Sequence, residues 1–176
     1  MSAIGKRKHM TSRRPQVFYS FHFDNDVFRV QQIRNIGVID GNEPVSKNDW
    51  EQARRTPGGI ERWIENEMKY KTCVVVLIGS ETSQRPWVRH EIAKGWDSGK
   101  GLVGIYIHNL KDPRTAGSFP YYGKCAKGQN PFAQVTLQNG HTLAQYVPCF
   151  DPSTTDAYND IARNILNWID QAARRT

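Results

Sequence analysis

The sequence has 176 residues, of which 38% are hydrophobic and 11% aromatic, enough to form one domain with a packed core. Its formal net charge is +7 at pH 7, a mild positive balance that would suit a phosphate-bearing ligand. This composition excludes an intrinsically disordered chain, and no apolar run approaches the ~18 residues that a membrane span needs.

The first 14 residues contain five basic side chains and no apolar stretch after them, unlike a secretory signal. We therefore expect a cytoplasmic protein without a membrane segment, with a disordered basic tail over 1–14 and a single domain over 15–176. The three cysteines are widely spaced, which argues against a zinc site or a disulfide framework. A basic tail can also bind nucleic acid, but a solvated tail is the favoured interpretation, so nucleic acid is not an expected partner.

Short apolar runs alternate with helical patterns from the beginning of this domain. "QVFYSF" (16–21) and "IGVID" (36–40) predict the first two strands. Between them, the spacing of apolar residues predicts a helix that Asp24 or Asn25 would cap and that ends near Arg34.

The middle of the chain continues the alternation. Residues 41–59 are polar and rich in turn-forming residues, which predicts a loop with one helical turn around Trp50. A three-and-four spacing then predicts a helix from about Gly59 to Tyr70. "TCVVVLIGS" (72–80) is typical of a strand buried on both faces of a parallel sheet, and "LVGIYIH" (102–108) predicts another.

The last third contains a Pro- and Gly-rich segment, about 111–152, in which we predict an irregular insertion. A core-facing helix over about 154–174 follows it. Strands that alternate with helices predict an α/β fold, with a central parallel sheet and helices on both faces. Ligands of such sheets bind at the carboxyl ends of the strands, so we expect the functional residues to lie there.

The helix after the 72–80 strand contains one acid of interest. Val88 begins an apolar stripe, and Trp87, Glu91 and Gly95 form the adjacent stripe. Glu91 therefore lies near the helix start, where the helix dipole favours a carboxylate, and one turn from an indole. Spacing alone leaves two interpretations open, a solvated helix residue or a functional carboxylate.

Other candidates are polar residues near predicted strand ends, and each is also explained by an ordinary capping or turn role. They are His22, Asp24, Asp26, Asp40 and Asp49. No GxGxxG motif follows the first strand, and no GxxxxGK[ST] or GxSxG motif is present. A dinucleotide-binding Rossmann fingerprint, a P-loop and a nucleophile elbow are thereby excluded.

These segments together resemble the TIR domain superfamily, and most closely the MTH538-type TIR-like proteins that serve as sensor subunits in bacterial Thoeris antiphage defence. "VFYSFHFDND" is similar to the family's first strand and following loop, and "IGVID" to its second strand. "CVVVLIGSETSQRPWVRHEI" is similar to its signature of an apolar strand, Gly-Ser, a short loop and Trp-Val-x-x-Glu. The resemblance covers about 16–112 and implies a single flavodoxin-like domain.

In many TIR domains the Glu of this W-x-x-x-E pattern is the catalytic residue of NAD⁺ cleavage, which by position implies that role for Glu91. The resemblance also implies a signal derived from ADP-ribose, cyclic or conjugated. NAD⁺ would be the substrate, with no cofactor and no metal. The expected substrate-binding residues are Phe21, His22, Asp24, Asp49, Trp50, Ser80 and Trp87. Implied partners are further copies of the chain or a phage-derived trigger, and a separate effector that responds to the product.

Three alternatives stay open at this point. The first is a non-catalytic TIR module that binds nucleotide or other TIR proteins as an adaptor or sensor. The second is a nucleic-acid binder that uses the basic tails. The third is another N-glycosidase, of the deoxyribosyltransferase type, which would accept nucleosides.

Overall fold

The computed structural model describes residues 14–41 and 52–175. Within them, a parallel sheet of five strands has the order β2-β1-β3-β4-β5. The strands are β1 (Gln16–Ser20), β2 (Asp40–Gly41), β3 (Cys73–Ile78), β4 (Gly101–Tyr106) and β5 (Cys149–Phe150). In this order β1 and β3 are neighbours at the point where the winding of the chain reverses, the usual ligand-binding crevice of such sheets.

Four helices that lie wholly within the described residues cover the two faces of the sheet. They are α1 (Phe23–Asn35), α2 (Gly59–Met68), α3 (Pro86–Asp97) and α4 (Ala157–Asp170). Buried side chains of α1 and α4 pack in one core cluster, and those of α2 and α3 pack in a second cluster on the opposite face. The predicted α/β fold with helices on both faces is confirmed.

β3 lies at the centre of the sheet, and every residue of it is buried. Its β-branched side chains point alternately into the two clusters, which explains the near-continuous apolar run in the sequence. A close approach of α3 to this strand is made possible by Gly95, because a Cβ there would lie 2.7 Å from Val74 Cγ2. This packing determines how near the residues of α3 come to the strand ends.

The first helix and the second strand differ from the prediction. The N-cap of α1 is His22, without a side-chain hydrogen bond, so the predicted capping by Asp24 or Asn25 is wrong. The predicted strand over 36–40 is reduced to its last residue, Asp40, which pairs with Gln16. The physical reason is that α1 extends to Asn35 and the chain leaves it through Gly37 at φ +74°, a left-handed conformation.

The insertion after β4 is more ordered than predicted. It contains short 3₁₀ helices at Pro113–Thr115, Pro131–Gln134 and Leu143–Gln145, and it leads into β5. Phe132 and Leu143 are fully buried in the cluster that α2 and α3 share. The insertion therefore contributes to the core on that face.

Some predictions fall outside the described residues. The tail over 1–14, apart from Arg14, and the helical turn around Trp50 are among them. Residues 52–55 are helical, and the closing helix is shorter than the predicted 154–174. Among the residues that are described, no helix has both the length and the apolar character needed to cross a membrane.

Candidate active site

The carboxyl ends of β1 and β3 form the edge at which the candidate residues meet. Ser20, the last residue of β1, pairs with Val76 of β3, so β3 extends two residues further before it ends at Ile78. The segment after each strand leads into a helix, α1 after β1 and α3 after β3. Side chains from the strand ends and from the first turns of these helices can therefore converge here.

Glu91 points from α3 to this edge. It is only 8% exposed, and Ser20 Oγ donates a hydrogen bond of 2.5 Å to its Oε2. Burial raises the pKa of Glu91 to about 8, and the hydrogen bond from Ser20 opposes this rise. The side chain is thus a sheltered carboxyl group whose ionisation a nearby positive charge would favour, and the interpretation as a solvated helix residue is wrong.

His22 lies two residues after Ser20 in extended backbone, so the two side chains lie on the same face. The imidazole is also largely buried, and its Nδ1 has no hydrogen-bond partner among the described residues. The nearest acidic atom is Oε2 of Glu81, 3.8 Å from Nδ1. Burial lowers the pKa of His22, Arg85 lowers it further, and Glu81 opposes the change.

Glu81 itself is tightly held just after β3. Its Oε2 accepts hydrogen bonds from Asn25 Nδ2 at 2.7 Å and from Arg85 Nη2 at 3.2 Å. The hydrogen bond from Asn25, with the guanidinium of Arg85, holds the pKa of Glu81 below its usual value. Glu81 is therefore a fixed negative charge beside a neutral imidazole.

The remaining predicted binding residues are spread around this edge. Trp87 lies one helical turn before Glu91, half-buried and edge-on to His90, with 5.6 Å between ring centroids. Ser80 is half-buried just after β3. These positions are compatible with a role in binding, which stays a prediction.

Phe21 and Asp24 also lie just after β1. Phe21 packs against the core cluster of α1 and α4, and its ring is 6.2 Å from that of Phe23. Asp24 is exposed in the first turn of α1. Asp49 and Trp50 lie outside the described residues.

A buried ion pair in α1 lies beside the turn that follows β3. Asp26 is fully buried, and its Oδ1 accepts a hydrogen bond of 3.0 Å from Arg29 Nη1. Arg29 also donates to the carbonyl oxygens of Leu110, just before the insertion, and of Gly123 within it. Burial raises the pKa of Asp26 to about 6 although Arg29 opposes it. The pair ties α1 to the segment that follows β4.

The other carboxylate oxygen of Asp26 lies against the backbone at the end of β3. A Cβ at Gly79 would be 2.1 Å from Asp26 Oδ2, so only glycine fits this position without a shift. Gly128 approaches the same point from the insertion, because a Cβ there would lie 2.0 Å from the carbonyl oxygen of Gly79. The turn that leads from β3 to Glu81 is therefore tightly packed between Asp26 and Gly128.

Sequence reasoning missed Ser20, Glu81, Asn25 and Arg85 as members of the site. Ser20 had one signal, since it shares a strand face with Phe18 at the end of β1 and is polar at a position that should be buried. Glu81 directly follows Gly-Ser at the end of β3. The pairing of Glu81 with Asn25 joins the segment after β3 to the first turn of α1, and it had no local signal in the sequence.

Two further features delimit the site. Over 14–41 and 52–175, no three His, Cys, Asp or Glu side chains are grouped so that they could hold a metal ion. Two open grooves of about 360 and 780 Å³ lie elsewhere, one beside Arg34 and one between α3 and the chain end near Arg174. Burial and polar contacts define the candidate site in the described residues.

The part of the chain that carries this site is similar to known proteins. Residues 18–112 match the family model described as "Thoeris protein ThsB, TIR-like domain", a range that contains β1, β3 and Glu91. The chain is 36% identical over 164 residues to a protein of Bacillus cereus (strain MSX-D12) named "Putative cyclic ADP-D-ribose synthase ThsB1". That similarity covers 88% of this chain and 80% of the relative.

Proposed function

This chain belongs to the Thoeris ThsB TIR-like domain family, and we propose that it cleaves NAD⁺ and makes an ADP-ribose-derived signal in antiphage defence. The observation that carries the proposal is Glu91, a buried carboxyl group at the strand edge where ligands of this fold bind. The name of the Bacillus cereus relative supports the same chemistry and favours a cyclic product.

Glu91 suits the breaking of the bond between nicotinamide and ribose. This bond breaks through an oxocarbenium-like state, in which positive charge develops on the ribose. A carboxylate in a sheltered site stabilises that charge more strongly than it would in water. Because nicotinamide leaves as a neutral molecule and takes the bonding electron pair, the leaving group needs no acid.

The raised pKa of Glu91 couples this chemistry to substrate binding. With a pKa of about 8, the carboxyl group is mostly protonated at pH 7 in the free protein. A cationic nicotinamide ring beside it would favour the ionised form and lower this pKa. In this proposal the substrate itself generates the carboxylate that the reaction requires, and Trp87 offers an aromatic face to a bound base.

Nicotinamide release from NAD⁺ tests the proposal. Purified wild-type protein and Glu91→Gln are incubated with NAD⁺, and the products are identified by mass spectrometry. The control is Glu61→Gln, because Glu61 is exposed in the first turn of α2. We expect release by the wild type and by the control, and loss of release in Glu91→Gln.

The same variants are compared in phage-challenged cells, because the resemblance implies that these proteins respond to a trigger. Lysates of challenged cells should contain an ADP-ribose derivative with the wild type and not with Glu91→Gln. If Glu91→Gln protects cells as well as the wild type does, the enzymatic proposal is wrong.

One observation favours a second function, a nucleotide-binding module without turnover. The neutral Glu91 carboxyl group, hydrogen-bonded to Ser20, can hold a ribose hydroxyl group without any reaction. Calorimetry that detects NAD⁺ binding, together with unchanged NAD⁺ after long incubation and in challenged cells, would support this function instead.

A further inference from the structure

His22 and Glu81 form a second polar pair at the candidate site, and the cleavage step proposed for Glu91 does not use it. The pair joins the segments that follow β1 and β3, with 3.8 Å between His22 Nδ1 and Glu81 Oε2. His22 is 8% exposed and lies on the Ser20 face, the face to which Glu91 is hydrogen-bonded. A buried ring nitrogen without a partner is costly, so its retention calls for a reason.

We infer that His22 is a further catalytic residue, whose imidazole takes the proton from the hydroxyl group that attacks the ribosyl cation, with Glu81 as the positioning residue that orients the ring. The inference rests on the proposed function, because the cation exists only if NAD⁺ is cleaved. It extends that function by assigning a group to the acceptor step.

The proposed step balances in bonds and charges. The bond between ribose C1′ and nicotinamide nitrogen breaks, and its electron pair neutralises the pyridinium ring. A lone pair of the acceptor hydroxyl oxygen forms the new bond to C1′, and the hydroxyl proton passes to His22 Nε2. The resulting imidazolium carries Nδ1–H toward the Glu81 carboxylate, and it returns the extra proton to solvent after product release.

The surroundings of His22 fit a general base. Desolvation and Arg85 lower its pKa, so the imidazole is neutral near pH 7 and free to accept a proton. Glu81 and Asp24 act in the opposite direction and stabilise the imidazolium once it forms. A separation of 3.8 Å is long for a hydrogen bond, but catalytic hydrogen bonds often shorten when substrate binds.

Glu81 is held in the orientation that the proposed role requires. Asn25 and Arg85 both donate to its Oε2, the same oxygen that faces His22. The carboxylate is therefore fixed by the first turn of α1 and by the residue that precedes α3. A carboxylate so placed selects the tautomer of His22 that carries hydrogen on Nδ1 and leaves Nε2 as the base.

Chemical rescue tests the role of His22. Wild type, His22→Ala and the control His141→Gln are assayed for product formation from NAD⁺, with and without added imidazole; His141 is exposed in the insertion. We expect His22→Ala to lose about 100-fold in rate and to recover partly with imidazole, and the control to match the wild type. Thermal melts accompany each assay to establish that His22→Ala is folded.

Glu81→Gln is the second variant, and it keeps the imidazole of His22 and the size of the side chain at position 81. Because the Glu81 carboxylate raises the pKa of His22, its removal should move the acid limb of the kcat profile to lower pH. A purely structural role of Glu81 would lower the rate at every pH without moving that limb.

The outcomes separate this inference from the proposed function. If wild type releases nicotinamide and Glu91→Gln does not, while His22→Ala keeps its full rate, the role of His22 is wrong and the proposed function stands. A folded, inactive His22→Ala that imidazole does not rescue, with an unmoved acid limb in Glu81→Gln, also overturns it. If the wild type itself cleaves no NAD⁺ in vitro or in challenged cells, both fail.

Discussion

Ser20 Oγ donates a hydrogen bond of 2.5 Å to Glu91 Oε2, and so joins the last residue of β1 to the middle of α3. Both side chains are buried. The bond connects β1 to the helix that follows β3, its neighbour in the sheet. It thereby holds the Glu91 carboxyl group at the carboxyl ends of these two strands. It also stabilises the ionised form of Glu91, because it opposes the rise in pKa that burial causes.

The first prediction concerns this bond. In Ser20→Ala the carboxylate loses its donor, so we expect the pKa of Glu91 to rise above about 8. The acid limb of the kcat/KM profile for nicotinamide release should move to higher pH, with about a ten-fold lower rate at pH 7. The profile is measured by nicotinamide release from pH 5.5 to about 9.5.

Ser118→Ala is the matched control, because Ser118 is exposed in the insertion and should leave the profile unchanged. A Ser20→Ala profile that overlays the wild-type profile would show that the bond does not tune Glu91.

A second prediction concerns stability. In the unfolded chain Glu91 ionises near the ordinary glutamate pKa of 4.5, but in the folded protein it stays protonated up to about pH 8. Between these values the folded state binds more protons, so the contribution of Glu91 to stability is present below pH 4.5 and is lost as pH rises to 8. Glu91→Gln removes this dependence. The free energy of unfolding of the variant minus that of the wild type should therefore increase over this range by up to about 1.4 kcal/mol per pH unit.

Melting of both proteins at pH 5, 6.5 and 8 measures the effect. We expect the difference in Tm, Glu91→Gln minus wild type, to increase across the series. Glu61→Gln, at an exposed position, should show a constant difference. A constant difference for Glu91→Gln would mean that Glu91 titrates normally in the folded protein.

A third prediction concerns the turn after β3. In Gly79→Ala the new methyl group would meet Asp26 Oδ2 at 2.1 Å, and Asp26 is fixed by its bond to Arg29. The turn or the ion pair must shift, so we expect a loss of about 2–4 kcal/mol in the free energy of unfolding. Denaturant unfolding measures it, and the lower stability should accompany weaker NAD⁺ turnover because Glu81 lies on the displaced turn.

Gly117→Ala is the control, since no atom lies within 4 Å of a Cβ at that position. It should change stability by less than about 0.5 kcal/mol. Equal effects of the two variants would mean that the contact at Gly79 relaxes without cost.

The core strands and their order of alternation with helices were predictable because burial leaves a strong local pattern. β3 is a continuous apolar run rich in β-branched residues, and α3 shows its two stripes in the spacing of Val88, Glu91 and Gly95. The spacing singled out Glu91 but left two interpretations open, and only the resemblance implied a catalytic role. The burial of Glu91 has a structural reason in the close packing of α3 on β3.

Contacts between distant segments were not predictable from the sequence. The Ser20 bond to Glu91 spans 71 positions and the Asn25 bond to Glu81 spans 56, and neither leaves a periodic signal. β5 has only two residues, too few for alternation to show. The insertion was predicted to be irregular because its buried residues are isolated among polar, Pro and Gly residues and do not recur with a helical or strand period.

The last prediction tests whether this insertion is part of the core. Phe132 is fully buried among residues of α2, α3 and the sheet, although it comes from a 3₁₀ helix of four residues. Phe132→Ala should therefore cost about 3–5 kcal/mol, as for a phenylalanine in any packed core. Phe119→Ala is the matched control in the same insertion, because Phe119 is 82% exposed and its removal should change stability by less than about 0.5 kcal/mol. Denaturant unfolding of both variants measures the difference. A small effect at Phe132 would mean that the insertion contributes little to the packing of the core. The expected loss would mean that the α2–α3 face, including the helix that carries Glu91, depends on the insertion for its packing.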